Sequence, residues 1–508
     1  MAVPTRQREF DHVIVGAGSA GCVLARRLVD AGRSVLLIDA GPRDLNPDIY
    51  SLLGLWNLWE SEVDWAFTTE PQTSAGGATV FWPRGRVLGG SSSLNGMAYV
   101  RGAAGDYDNW AYNGCPGWSY ADVLPYFKRS EDFHGPTAEH HGVGGPHPVT
   151  LNEHPTDVST AFVQACQDYG IPFNPDYNGA DPLGVSYIQQ SVHDGRRVSA
   201  WSAFCLPIAD DERLTVAPGT TVTRLRFEGP TCVGAALHGA EGETEVRSRG
   251  EVILAAGTVG SAHLLQLSGI GPADELRRLG IEVRADLPGV GRNLHDHILA
   301  PVVWEATRPI GELHGTPLEA HFFERSDPGM PAPDLQPLFI PMPLPVVGYD
   351  GPEHGYTLLA GVIRPLSRGR MWLRSADPTQ APALDPRYLA EPQDLAAMRR
   401  ALSMSREIGE ATAMREWRLR EVAPGPDVRD DDALRHYIHT QLLTYHHQVG
   451  TCRMGMDQGA VVDPRLRVRG VANLRVADAS VMPSVPSGNT HAPTMMIAER
   501  GAELVLDG

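Results

Sequence analysis

The stretch Gly16-Ala17-Gly18-Ser19-Ala20-Gly21 limits what this chain can fold into more than any other. It is a G-x-G-x-x-G run directly after the apolar His12-Val13-Ile14-Val15, which predicts a buried strand. Residues 19–31 follow as a helix, with Ala20, Val23, Leu24 and Leu28 on one face. Gly32 supplies a stop, and residues 34–38 (SVLLI) read as a second buried strand closed by Asp39. That order is the opening of a βαβ unit and predicts a parallel sheet. Each glycine has a task in such a turn: Gly16 makes the tight bend, Gly18 lets a pyrophosphate approach the backbone, and Gly21 lets helix and strand touch. Ser19 opens the helix, whose N-terminus offers a partial positive charge to phosphates. Asp39 is suited to accept bonds from ribose hydroxyls and to repel a 2′-phosphate. A purely structural turn needs no strand, helix and terminal acid around it, so the motif predicts dinucleotide binding. It does not separate FAD from NAD, although its position leaves nearly the whole chain to cover one cofactor, which favours a tightly held flavin.

With 508 residues the chain exceeds one ordinary hydrophobic core, and two domains are expected. A formal net charge of -18 argues against nucleic acid, which needs clustered cations to displace counterions from phosphates. Six scattered cysteines without a C-x-x-C pair fit neither a disulfide framework nor a thiolate zinc site, and are expected to be buried thiols. The first ten residues lack the apolar core of a secretory signal, and no run approaches the roughly 20 apolar residues of a membrane span. A soluble, cytoplasmic protein acting on a small molecule is the expectation.

Farther along, the chain turns Gly- and Ser-rich after Thr68, and residues 89–93 (GGSSS) are not expected to be regular structure. Residues 251–257 (EVILAAG) read as a strand returning to the nucleotide-binding sheet, followed by a helix carrying Leu264, Leu265 and Leu267. The predicted fold is therefore mixed α/β and α+β. A Rossmann-like domain would take residues 1–146, 206–299 and 444–508, and a discontinuous substrate domain with an antiparallel sheet would take 147–205 and 300–443. Residues 334–340 and 356–363 are its expected strands.

The segment from Gly85 to Gly96 (GRVLGGSSSLNG), continued by Met97-Ala98-Tyr99-Val100-Arg101-Gly102, sets small residues beside apolar ones. Consecutive small residues allow backbone to lie against a flat ring, with Asn95 as a polar handle. This segment resembles the first signature of the glucose-methanol-choline (GMC) oxidoreductases. Residues 257–271 (GTVGSAHLLQLSGIG) resemble the second, with Ala262 where proline or serine is usual, and residues 473–483 resemble the family's closing flavin segment. The resemblance implies FAD contacts from Gly16, Gly18, Ser19 and Asp39 at the pyrophosphate and ribose. Gly89, Asn95 and Met97 are implied near the isoalloxazine, Val222 beside adenine, and Asp478, Ala479 and Thr490 around the rest. Leu94 stands where some members carry a histidine joined to flavin, so FAD is expected to be non-covalent.

Removing a hydride from an alcohol carbon to flavin N5 requires a base for the hydroxyl proton, and histidine suits that task near neutral pH. The run Tyr445-His446-His447-Gln448-Val449-Gly450-Thr451 is similar to the family's catalytic-histidine motif, which points to His447. Asn489 matches the second catalytic position. His491 is its rival, because an extended backbone would turn both to the same side. Tyr445 and His446 are expected to line the substrate pocket, and His297 to reach its rim. His295-Asp296-His297 offers too few ligands for a metal, and none is expected.

Choline-handling relatives carry a glutamate two residues after the histidine matching His297, where this chain has Leu299. That disfavours a quaternary ammonium substrate. If Trp56, Trp59, Trp65 and Phe67, or the apolar residues 339–347, line the cavity, a neutral aromatic or aliphatic alcohol fits better than a polyol. The expected activity is oxidation of a primary alcohol to an aldehyde, with electrons passing to O₂ or another acceptor. A non-redox lyase and a flavin photodecarboxylase on the same scaffold are the alternatives.

Overall fold

The computed structural model describes residues 9–136, 139–240 and 242–508. Most of the segment read for a secretory signal therefore lies outside the described residues. A five-stranded parallel sheet holds the centre of the nucleotide-binding half, in the order Leu214–Ala217, Val35–Ile38, His12–Val15, Val252–Leu254 and Leu474–Val476. Every residue of the last four strands is buried. A parallel sheet covered on both faces needs continuous apolar runs, which is why these strands showed no alternation in sequence. Helix Ser19–Asp30 covers it, and the long helix His491–Leu506 packs on that helix, where a Cβ on Gly501 would already stand in contact with Leu24 at 3.6 Å.

The strand expected over residues 251–257 is Val252–Leu254, and the helix after it is Gly257–Leu267. An antiparallel meander absent from the sequence reading follows Ala217: Thr221–Glu228, Thr231–Gly239 and Gly242–Ser248, the last paired in parallel with Glu9–Phe10. Burial alternates along Gly242–Ser248, as a sheet covered on one face requires, but Thr, Val and Ser on the covered side leave little apolar pattern to read.

The second sheet is antiparallel, ordered Arg418–Ala423, Ile298–Ala306, Gly355–Val362, Leu338–Ile340, Ala320–Phe323 and Gly184–Tyr187. Leu443–Thr444 adds to the start of Ile298–Ala306 and delivers the chain to the His447 segment. The strand expected over 334–340 begins only at Leu338, because Pro337 has no N–H to give the ladder. Gly90–Ser93, not expected to be regular, forms one 3₁₀ turn. Gly90 has φ +55°, and a Cβ on it would stand 2.7 Å from the Gly18 Cα, so the two glycine segments lie backbone against backbone.

Candidate active site

One cavity of about 1100 Å³ runs from the opening glycine turn to His447 and Asn489. At its first end Gly16, Gly18, Ser19, Asp39, Val222, Asp478, Ala479 and Thr490 line the wall, and Leu94, Asn95 and Met97 continue it. No side chain caps helix Ser19–Asp30, which leaves its first-turn amides to an anion. Asp39 is fixed by two amides, Ala17 N–H at 2.8 Å and Gly41 N–H at 2.7 Å, and burial still pushes its pKa up to about 6. The Asp478 carboxylate is taken up by Gly257 N–H (2.9 Å), the Ser261 hydroxyl (2.6 Å) and Ser480 N–H (2.8 Å), so it ties the second signature to the closing segment.

Two of the expected cofactor residues stand behind this wall. A Cβ on Gly21 would lie 1.8 Å from the Gly16 carbonyl oxygen, so that glycine serves helix-to-strand contact. Gly89 donates its N–H to the Ala17 carbonyl at 2.8 Å, and a Cβ there would meet Ser93 and Ser199 instead of the cavity.

At the other end, His447 is 7% exposed and held from four sides. Its backbone N–H donates to Asp296 at 2.8 Å, and the ring stacks on Tyr445 with centroids 4.7 Å apart. Asp296 is anchored in turn by the hydroxyls of Tyr388 and Thr444 and by the Gln448 amide. Gln336 donates its amide to Asn489 Oδ1 at 3.2 Å, which turns the Asn489 NH₂ toward His447 Nε2 at 3.1 Å. An amide NH₂ can only donate, so His447 Nε2 carries the lone pair and its proton sits on Nδ1. That proton is directed at His297 Nδ1, 3.0 Å away. Burial, followed by the neighbouring His297, His446 and Arg84, holds the His447 pKa well below the usual histidine value. The ring is therefore neutral at neutral pH, with its Nε2 lone pair facing the cavity.

Tyr445 and His446 line the cavity, and the Tyr445 hydroxyl donates to the Gln336 carbonyl at 2.8 Å. His446 holds a left-handed backbone (φ +65°) with its ring 5.2 Å from that of Trp59. His297 does not reach the rim. It is fully buried behind His447, because its carbonyl accepts the Tyr445 N–H and draws it into the sheet. His491 does not rival Asn489. Thr490 has φ −96° and ψ −1°, so a helix starts there in place of extended backbone, and His491 Nδ1 meets the Ser19 hydroxyl at 2.9 Å. His295 is used structurally, with Nδ1 on the Asn293 carbonyl and Nε2 accepting Val485 N–H at 3.0 Å. No group of three metal-binding side chains occurs among the described residues. All six cysteines are buried and free.

Trp56, Trp59, Trp65 and Phe67 all line the cavity, and from the apolar run 339–347 so do Ile340, Leu344, Pro345 and Val347. Leu299, Leu318, Leu338 and Leu359 complete an aliphatic wall near Tyr445 and His447. Asp39 and Asp478 are the carboxylates of the described lining, both at the glycine end. Sequence reasoning missed Gln336, which sets the Asn489 amide. Its one signal in the sequence is a glutamine inside the apolar run 334–340 (DLQPLFI).

Residues 10–299 and 365–498 match the N- and C-terminal parts of the GMC oxidoreductase family, and the chain belongs to that family. It is 38% identical over 529 residues to the oxygen-dependent choline dehydrogenase of Brucella anthropi, covering 98% of this chain and 96% of that protein. To the alcohol dehydrogenase [acceptor] of Pseudomonas putida it is 39% identical over 532 residues, with 98% and 96% covered. The crystal structure of pyridoxine 4-oxidase from Mesorbium loti superposes with a TM-score of 0.92 at 35% identity, covering 97% of this chain and 98% of that one. The protein is an FAD-dependent oxidoreductase. The uncapped helix N-terminus, the Gly18–Gly90 backbone contact and the buried His491 Nε2 without a partner fit this cofactor. No helix among the described residues is long and apolar enough to cross a membrane.

Proposed function

We propose that this enzyme oxidises a neutral primary alcohol, carried on an apolar chain or ring, to the aldehyde. The observation that supports this best is the Asn489–His447 pair, with the Nε2 lone pair of His447 oriented by Gln336 and set beside an aliphatic wall. Bound FAD supplies the two-electron acceptor. His447 takes the hydroxyl proton at Nε2, Asn489 holds the substrate oxygen, and Tyr445 and His446 border the substrate. Gly16, Gly18, Ser19, Asp39, Asn95, Met97, Val222, Ala479 and Thr490 hold FAD, which stays non-covalent because Leu94 offers no nucleophile. The division into residues 1–146, 206–299 and 444–508 against 147–205 and 300–443 belongs to the same reading.

A quaternary ammonium finds no carboxylate in the cavity lining at the His447 end, since Asp296 lies behind it, fully engaged by Tyr388, Thr444, Gln448 and the His447 N–H. This separates the reading from the choline activity that relatives' names carry. Reoxidation is by O₂ or by another acceptor. The test is anaerobic mixing of the holoenzyme with aliphatic alcohols, benzylic alcohols, pyridoxine and choline, followed by air. Bleaching of the flavin band by neutral alcohols and not by choline supports the reading, and recovery in air identifies an oxidase. A band that no alcohol bleaches overturns it and brings forward a lyase or photodecarboxylase.

A further inference from the structure

Three arginines are fully enclosed: Arg101, Arg197 and Arg475. Two of them have acids at hand, since Arg101 pairs with Glu131 and Arg475 with Glu251, both at 2.5 Å. Arg197 has none among the described residues. Its Nη1 donates to the carbonyl oxygen of Asn95 and, at 2.7 Å, to Asn95 Oδ1. Nε and Nη2 have no partner. Burial alone pulls its pKa down to about 9, with no carboxylate acting against it.

A second observation points to the same place. His491 lies within the electrostatic reach of Arg197, is tied to the Ser19 hydroxyl at the helix N-terminus, and leaves its buried Nε2 without a partner. The His147 ring stands against it with centroids 5.3 Å apart, and His147 Nδ1 is likewise buried and unpartnered. Arg197 and two imidazoles therefore gather buried, unpartnered nitrogens around Asn95 and Ser19, which line the cavity together with His491. An isolated buried cation is too costly to keep without a counter-charge. In oxidised FAD the formal negative charge lies on the diphosphate.

We propose that the diphosphate of FAD is the counter-charge of Arg197, which acts from behind Asn95 as an electrostatic positioning residue for the cofactor. The inference rests on FAD as cofactor and does not depend on which alcohol is oxidised. Asn95 holds the guanidinium, and the neutral His491 ring links its surroundings to Ser19 at the glycine turn.

The test uses the full-length holoenzyme and its Arg197→Met and Arg197→Lys variants. FAD release after dilution into flavin-free buffer is followed by flavin fluorescence, and melting is recorded for holo and deflavinated forms. Arg197→Met should release FAD at least tenfold faster, and should lower the melting temperature of the holo form but not of the deflavinated form, since it removes a charge the protein does not balance. Arg197→Lys, which keeps the charge, should release FAD within a few-fold of the parent. Equal destabilisation of both forms by Arg197→Met would mark Arg197 as a mere structural prop and overturn the proposal. If Arg197→Met does not fold, release from Arg197→Lys tenfold or more above the parent overturns it, and release close to the parent supports it.

Discussion

At the glycine end, two short stretches supply much of the cavity wall, residues 16–20 and 90–97, packed through Gly21 and Gly89 behind them. At the His447 end, each support comes from a different part of the chain: Asp296, Gln336, Tyr388, Thr444 and Asn489. A backbone-built site tolerates no added volume, because main chain cannot rotate away. A side-chain-built site tolerates substitution but loses its hydrogen-bond order. In the proposed function the first end binds by shape and amide direction, and the second does chemistry by fixing which nitrogen carries a proton.

That contrast can be broken by substitutions at either end. Gly21→Val is expected to have the largest effect, with no soluble FAD-loaded protein, because its Cβ would overlap the Gly16 carbonyl. Flavin absorbance per polypeptide is the readout, and normal loading would show that the two segments separate freely. Asn489→Ala should leave loading intact and slow flavin reduction roughly 10- to 100-fold, the range for losing a hydrogen bond to a charged partner. Loss of FAD in that variant would mean the two ends are not independent.

The same contrast explains what was legible in the sequence. Gly16, Gly18, Ser19 and Asp39 could be read because the whole βαβ device is local. His447 and Asn489 emerged only through a family resemblance, since their proximity depends on pairing between distant segments. Gln336 and Arg197 carry no motif: Gln336 lies just ahead of strand Leu338–Ile340 and Arg197 in a two-stranded hairpin, so their partners Asn489 and Asn95 come from distant segments. The rival reading of His491 beside Asn489 is disfavoured by one backbone angle pair, at Thr490. His297 was expected at the rim and lies behind His447, because the sheet takes up its carbonyl.

A smaller effect is expected at Leu299. Leu299→Glu sets a carboxylate in the aliphatic wall and should raise choline turnover several-fold while lowering that of neutral alcohols, measured as a ratio of kcat/KM values. An unchanged ratio would remove Leu299 from the substrate wall.

The smallest effect is on stability against pH. Burial holds His297, His321 and His446 down to about 3 and His263 and His491 to about 4. The unfolded chain binds these protons from about pH 6.5 downward while the fold refuses them, so stability should fall as pH drops from about 6.5 toward 4. Asp39 and Asp296, both raised to about 6, oppose that trend over part of the range. Chemical denaturation at several pH values should show a net loss on the acid side. A fold equally stable at pH 4.5 and 7 would contradict the burial of neutral imidazoles.

The most direct measurement is the anaerobic single-turnover rate of flavin reduction by the preferred alcohol, in the parent and in His447→Gln, across pH. The account predicts normal FAD content, a loss of about 10²–10⁴-fold at neutral pH, and a parent rate that holds level down to well below pH 6.5. A His447→Gln enzyme that reduces its flavin at the parent rate would place the proton acceptor elsewhere and contradict the account.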